Sequence, residues 1–84
     1  MIEKEFTLAV MLHARPAGLA ARAAKKFDSG ISISFGDKTS DAKSIIDLMS
    51  LGAKKGDAVK LRASGSDEEE AIKAIENILT GEQR

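Results

Sequence analysis

The 84-residue sequence predicts an α+β two-layer sandwich, a four-stranded, mainly antiparallel sheet with helices packed on one face. Three observations carry this prediction. Hydrophobic periodicity switches along the chain between two residues and about 3.6. Glycine- and aspartate-containing turn signals punctuate it at regular intervals. No linker, repeat or low-complexity tract interrupts it, so residues 1–84 read as a single domain with the order β-α-β-β-α-β-α.

Each element has its own signal. Residues 2–8 alternate, with Phe6 and Leu8 on one face and Glu5 and Thr7 on the other, the period of a half-buried strand. Residues 16–27 form an alanine-rich helix presenting Leu19, Ala20, Ala23, Ala24 and Phe27 inward, with side chains small enough to let it lie close to the sheet. "ISISF" at 31–35 buries Ile31, Ile33 and Phe35, and Gly36-Asp37 is a hairpin signal that returns a short strand over 38–42. Ser44 opens a short helix, "SIIDLMSL", and Gly52, Gly56 and Asp57 mark the loop after it. "AVKLRAS" at 58–64 is the fourth strand, with Val59, Leu61 and Ala63 facing in. Ser66 with Glu69 reads as a capping box, and Asp67 to Glu70 load the first turn of the last helix with the charge its dipole favours. That helix carries Ile72, Ile75, Ile78 and Leu79 at helical spacing and stops at Gly81.

Composition narrows the function. Thirteen basic and thirteen acidic residues cancel, which argues against a general nucleic-acid binder. The aromatics, Phe6, Phe27 and Phe35, all fall in inward phase, so no base-stacking platform remains. Without cysteine there is neither a disulfide framework nor a thiolate metal cluster, and a reducing cytoplasm is the expected setting. A single histidine supplies too few ligands for a metal centre. The longest apolar run, "LAVML" at 8–12, is too short for a membrane span or a signal-peptide core. Neither a cofactor nor membrane insertion is expected.

The chemistry concentrates in "VMLHARPAG", residues 10–18, which hold the only histidine and the only proline. His13 directly precedes a helix whose early Pro16 has the fixed φ that a first turn accepts. An imidazole there faces unpaired N–H groups and the positive end of the helix dipole, which favour its neutral, nucleophilic form. A phosphate carried on that ring would lie where helix N-termini bind anions, with the Arg15 guanidinium matched to its oxygens. Spacing alone is equally compatible with a plain strand-to-helix junction. Nothing resembles a nucleophile elbow, so a Ser-His-Asp triad is disfavoured.

Two further features stand out. Ser44 with Asp47 makes a Ser-x-x-Asp cap for the second helix. That helix is apolar almost all round, through Ile45, Ile46, Leu48, Met49 and Leu51, more than a short helix can bury. Some of these side chains must therefore stay exposed. Residues 13–27 carry Arg15, Arg22, Lys25 and Lys26 and no acid, so the greasy patch has a cationic rim.

"LHARPAG", then "AKSIIDLMSLGAKKGD", then "ASGSDEEEAI" strongly resemble, in matching order, the HPr family of histidine-containing phosphocarriers of the bacterial sugar phosphotransferase system. The resemblance implies an open-faced β-sandwich, four antiparallel strands under three helices. It implies a carrier, not a turnover enzyme: enzyme I passes a phosphoryl group to Nδ1 of His13, which hands it to a sugar-specific permease component. Arg15 would neutralise the phosphate, Pro16 fix the first turn, and the N–H groups of Ala14, Arg15 and Ala17 cradle the oxygens. Ser44 corresponds to a serine phosphorylated in many bacteria by an ATP-dependent HPr kinase/phosphorylase, and its added charge would repel acidic partners. The same resemblance places partner docking on Ala17, Arg22, Lys25, Ile45, Ile46 and Met49. It admits a transcriptional regulator among the partners of an expected monomer. The alternative is a regulatory relative, of the nitrogen branch or a signalling kind, acting mainly through protein–protein contacts. Two departures are visible: Met11 stands where the family usually has glycine two residues before the histidine, and the segment between the first strand and His13 is a couple of residues shorter than usual.

Overall fold

The computed structural model describes residues 1–10 and 14–81. Its elements are β1 (Ile2–Thr7), α1 (Ala14–Ala24), β2 (Gly30–Phe35), β3 (Lys38–Asp41), α2 (Ile45–Ser50), β4 (Ala58–Ser64) and α3 (Glu68–Leu79), in the predicted order. The strands lie side by side as β1-β4-β2-β3, and every pairing is antiparallel. β4 is the centre of the sheet, matched to β1 from Ile2↔Ala63 to Thr7↔Ala58 and to β2 from Gly30↔Ser64 to Ser34↔Lys60.

Alternation decides which face is covered. Val59, Leu61 and Ala63 of β4 are buried with Ile31 and Ile33 of β2 beneath the three helices. The opposite face is open and polar. There Arg62 pairs with Glu3, Lys60 lies 4.0 Å from the same carboxylate, and the Ser34 and Thr39 hydroxyls meet at 3.1 Å. Phe6, Phe27 and Phe35 are half-buried against the core, as their phase predicts.

Helix α1 departs from expectation. Its buried face is Ala17, Ala20, Ala21 and Ala24, whereas Leu19, assigned inward, is 43% exposed. The helix begins at Ala14 and its regular part ends at Ala24. Lys26 and Phe27 then donate to carbonyls three residues back, Ala23 and Ala24, both at 3.1 Å, which tightens the last turn. Because α1 lies against both α2 and α3, the stripe of smallest side chains permits the closest approach, and the bulkier Leu19 is left outside.

The start of α3 also differs. The predicted Ser66–Glu69 box does not form: the cap residue is Asp67, with no side-chain capping bond, and Glu68 instead accepts the Gly65 N–H at 3.0 Å. Asp67 is drawn away by a tertiary clasp. Its carboxylate accepts the Ser29 hydroxyl at 2.5 Å and the N–H groups of Asp28 and Ser29 at 2.9 and 3.0 Å. Ser29 itself is fully buried. The hydroxyl first, then the Asp28 N–H, hold the Asp67 carboxyl below the ordinary value of about 3.8.

The stabilisation supplied by this clasp is therefore complete above the unfolded-chain value and is lost as pH falls through the lower folded-state value. Urea midpoints measured between neutral pH and about pH 2 should show wild type losing an increment that Asp67→Asn lacks throughout. Ser29→Ala, which removes the strongest donor, should lower Tm by roughly 5 °C at neutral pH. A Ser29→Ala variant with unchanged Tm would mean that the clasp carries no stability.

Candidate functional site

Two exposed residues, Ala14 and Arg15, open α1, with half-buried Pro16 third. The first N–H groups of any helix lack a partner four residues back, and proline at the third position has no N–H to leave orphaned. Among the described residues no backbone acceptor meets the N–H of Ala14 or Arg15, and Arg15 forms no ion pair. The first turn carries no acidic residue. His13 and Met11, on which the sequence-based reading of this site centres, lie outside the described residues. Ala17 is fully buried on the core side of α1, away from the exposed side chains of the docking surface expected from the family resemblance.

Three backbone bonds hold the two residues that follow β1. Leu8 donates to Asp57 O at 2.9 Å and accepts from the Gly56 N–H at 2.9 Å, while Ala9 donates to Leu79 O at 3.0 Å. The end of β1 is thus stitched to the loop before β4 and to the C-terminus of α3. Leu8 is buried, and Val10 still packs half-buried against the core.

Ser44 is the N-cap of α2, with φ −115° and ψ 118°, and its Oγ accepts the Asp47 N–H at 3.2 Å. The return half of a capping box is absent. Ser44 N–H donates to Asp41 O at 3.0 Å, and the Asp47 carboxylate accepts the Asp41 N–H at 3.4 Å. Two residues that the sequence reading passed over organise this loop. Asp41 accepts the Lys43 N–H at 2.9 Å, and Lys43 Nζ donates to Phe27 O at 3.0 Å beyond the end of α1. The Asp-x-Lys spacing is an Asx-turn signal and was available in the sequence; the Lys43 contact, across sixteen residues, was not.

Beside Ser44, the outward side of α2 is apolar. Ile46 is 76% exposed, Met49 44% and Ile45 42%, while Leu48 and Leu51 are buried. Exposed Leu19 adds a fourth apolar side chain, from α1. Arg22, Lys25 and Lys26 are exposed and without ion pairs among the described residues. Among those residues no group of His, Asp and Glu could hold a metal ion, and no helix is long and apolar enough to cross a membrane.

An open sheet roofed by three helices, with free N–H donors among the described residues and Arg15 at the start of one of them, fits a phosphocarrier domain. The family comparison makes that specific. A family model described as the "PTS HPr component phosphorylation site" matches residues 3–81, and the chain belongs to the HPr family of the phosphotransferase system. Among solved structures it is similar to HPr-C-His from Thermoanaerobacter tengcongensis, at 44% identity over 100% of both chains with a TM-score of 0.89. It is similar to the phosphocarrier protein HPr from Bacillus anthracis, at 35% identity over 93% of this chain and 95% of that one, TM-score 0.88. It is also similar to the Bacillus subtilis catabolite-repression protein Crh, seen as a domain-swapped dimer, at 36% identity over 100% and 97%, TM-score 0.82.

Proposed function

We propose that this chain relays phosphoryl groups through Nδ1 of His13, receiving them from phosphorylated enzyme I and passing them to sugar-specific components of the phosphotransferase system. The observation that carries this reading is the match of residues 3–81 to a family defined by its phosphorylation site, with the His-Ala-Arg-Pro run intact in the sequence. The Nδ1 lone pair attacks phosphorus in line as the donor's bond to it breaks, and onward transfer is the reverse of that step. The Ala14 and Arg15 N–H groups and the Arg15 guanidinium hold the phosphoryl oxygens through both exchanges. An open helix end with one arginine binds the group tightly enough to take it and loosely enough to give it up. In this reading the protein works in the cytoplasm as a monomer, docking partners through Arg22, Lys25, Ile45, Ile46 and Met49. Ser44 is the regulatory site: the hydroxyl that caps α2 takes a phosphate from an HPr kinase, adding roughly −1.5 to −2 charges beside the docking surface.

Incubation with phosphoenolpyruvate and enzyme I should yield one acid-labile, base-stable phosphate per chain, absent in His13→Ala. Incubation with an HPr kinase and ATP should yield an acid-stable phosphate, absent in Ser44→Ala. Wild-type protein that takes no acid-labile label would sink the carrier reading and favour a regulatory member acting by contact alone.

A further inference from the structure

Lys25, Lys26 and Lys38 are exposed, whereas Lys43 is half-buried and its ammonium is committed to a neutral acceptor, Phe27 O at 3.0 Å. Lys43 belongs to no ion pair among the described residues. The acceptor lies just past α1, where a carbonyl receives no donor from the helix ladder and the negative end of the dipole favours a cation. Among the described residues no other hydrogen bond joins the end of α1 to the start of α2.

α2 depends on such ties. Six residues do not persist as a helix unaided, so the element takes its place from what holds it. Leu48 anchors its core side. Its start is held by the loop after β3, through Lys43 N–H to the Asp41 carboxylate at 2.9 Å and Ser44 N–H to Asp41 O at 3.0 Å. Those bonds fasten α2 to the sheet. The Lys43 ammonium fastens its start to α1.

We infer that Lys43 is a positioning residue of the relay: its ammonium latches the start of α2 to the end of α1 and so fixes Ile46 and Met49 relative to Arg22 and Lys25. This rests on the carrier reading above and on the docking surface in it. A partner that meets a loosely joined surface must order it on binding, and that cost falls on affinity. The transfer step is untouched, because Lys43 bonds to a carbonyl at the far end of α1 from Arg15. A half-buried bond to a neutral carbonyl is also screened far less by salt than the attraction between exposed charges. Positioning by Lys43 is therefore separable from any effect of its charge on approach.

The test compares wild type, K43M, K43R and K38M as acceptors from phosphorylated enzyme I. K43M keeps the apolar stem and removes the donor, K43R restores a cationic donor, and K38M removes the same charge from the exposed start of β3. K43M should raise KM about fivefold with kcat within about twofold of wild type, and the difference should persist at about 400 mM NaCl. K43R should recover most of the loss, and K38M should follow wild type. Residual dipolar couplings read the latch without any activity. In wild type the amides of α1, α2 and the sheet should fit one orientation tensor, and in K43M those of α2 alone should depart from it. K43Q removes the charge a second way, so neither measurement depends on one variant folding. Wild-type KM for K43M would overturn the positioning role and leave the relay standing, whatever the couplings show. A raised KM with unchanged couplings, or an equal rise in K38M, would overturn it too by reducing the effect to charge. Absence of label on wild type would remove the relay and the role of Lys43 in it.

Discussion

Gly65→Ala is expected to lower stability by on the order of 3 kcal/mol, a shift of roughly 15 °C in Tm for a domain of this size. Gly65 sits between β4 and α3 at φ 154°, and a Cβ placed on it would lie 2.6 Å from both Cα and Oγ of Ser29. One of these is backbone, so no side-chain rotation relieves the clash. Any shift that does relieve it moves Ser29 away from Asp67 and opens the clasp that joins the α1–β2 loop to the start of α3. Thermal melts of Gly65→Ala, Ser29→Ala and the double variant check this. The double variant should be less destabilised than the sum of the two, because both act on one contact. Strict additivity would show that the close approach and the clasp are independent.

Leu48→Ala has the second large effect, a loss of about 3 kcal/mol. Six residues make too short a helix to persist unaided. Buried Leu48, with Leu51 just past the helix end, is the apolar anchor that holds α2 to the core while Ile45, Ile46 and Met49 face outward. Truncating the anchor should loosen the element that presents both the Ser44 cap and the apolar patch. Urea unfolding measures the global loss. Amide exchange over Ile45–Ser50 should speed up more than exchange over β4, and uniform acceleration would contradict a local role for Leu48.

The strands and α3 were legible in the sequence because each buries one face, and a half-buried element writes its period directly. Ile31, Ile33, Val59, Leu61, Ala63, Ile72 and Ile75 all fall on the predicted side. That α2 exposes apolar side chains was legible because it holds more of them than six residues can bury, while the choice of Ile46 and Met49 came from the family resemblance. The phase of α1 was not. In an alanine-rich helix hydrophobicity hardly distinguishes the faces, and ranking residues by apolar bulk pointed Leu19 inward where close approach excludes it. The α3 cap failed for another reason. Local spacing favoured Ser66 and Glu69, but Asp67 is claimed by Asp28 and Ser29 from 39 and 38 positions away, a pairing no local pattern contains. At the site, Arg15, Pro16 and Ser44 stand where their motifs place them at helix starts, while the burial of Ala17 follows from the misjudged phase.

The alanine stripe bears on the relay itself. Ala17, Ala20, Ala21 and Ala24 have no side-chain torsions, so packing α1 against its neighbours froze no rotamers and left none to redistribute. In the proposed relay, a doubly charged group gained or lost at one end of this helix therefore finds no side-chain torsion to act on within the alanine stripe. Compliance is confined to the opposite, solvent side, where Met49, Ile46 and the long cationic side chains can adjust to partners of different shape. For the proposed relay this divides the mechanics in two, an inert bearing along the core side of α1 and an adaptable skin around it.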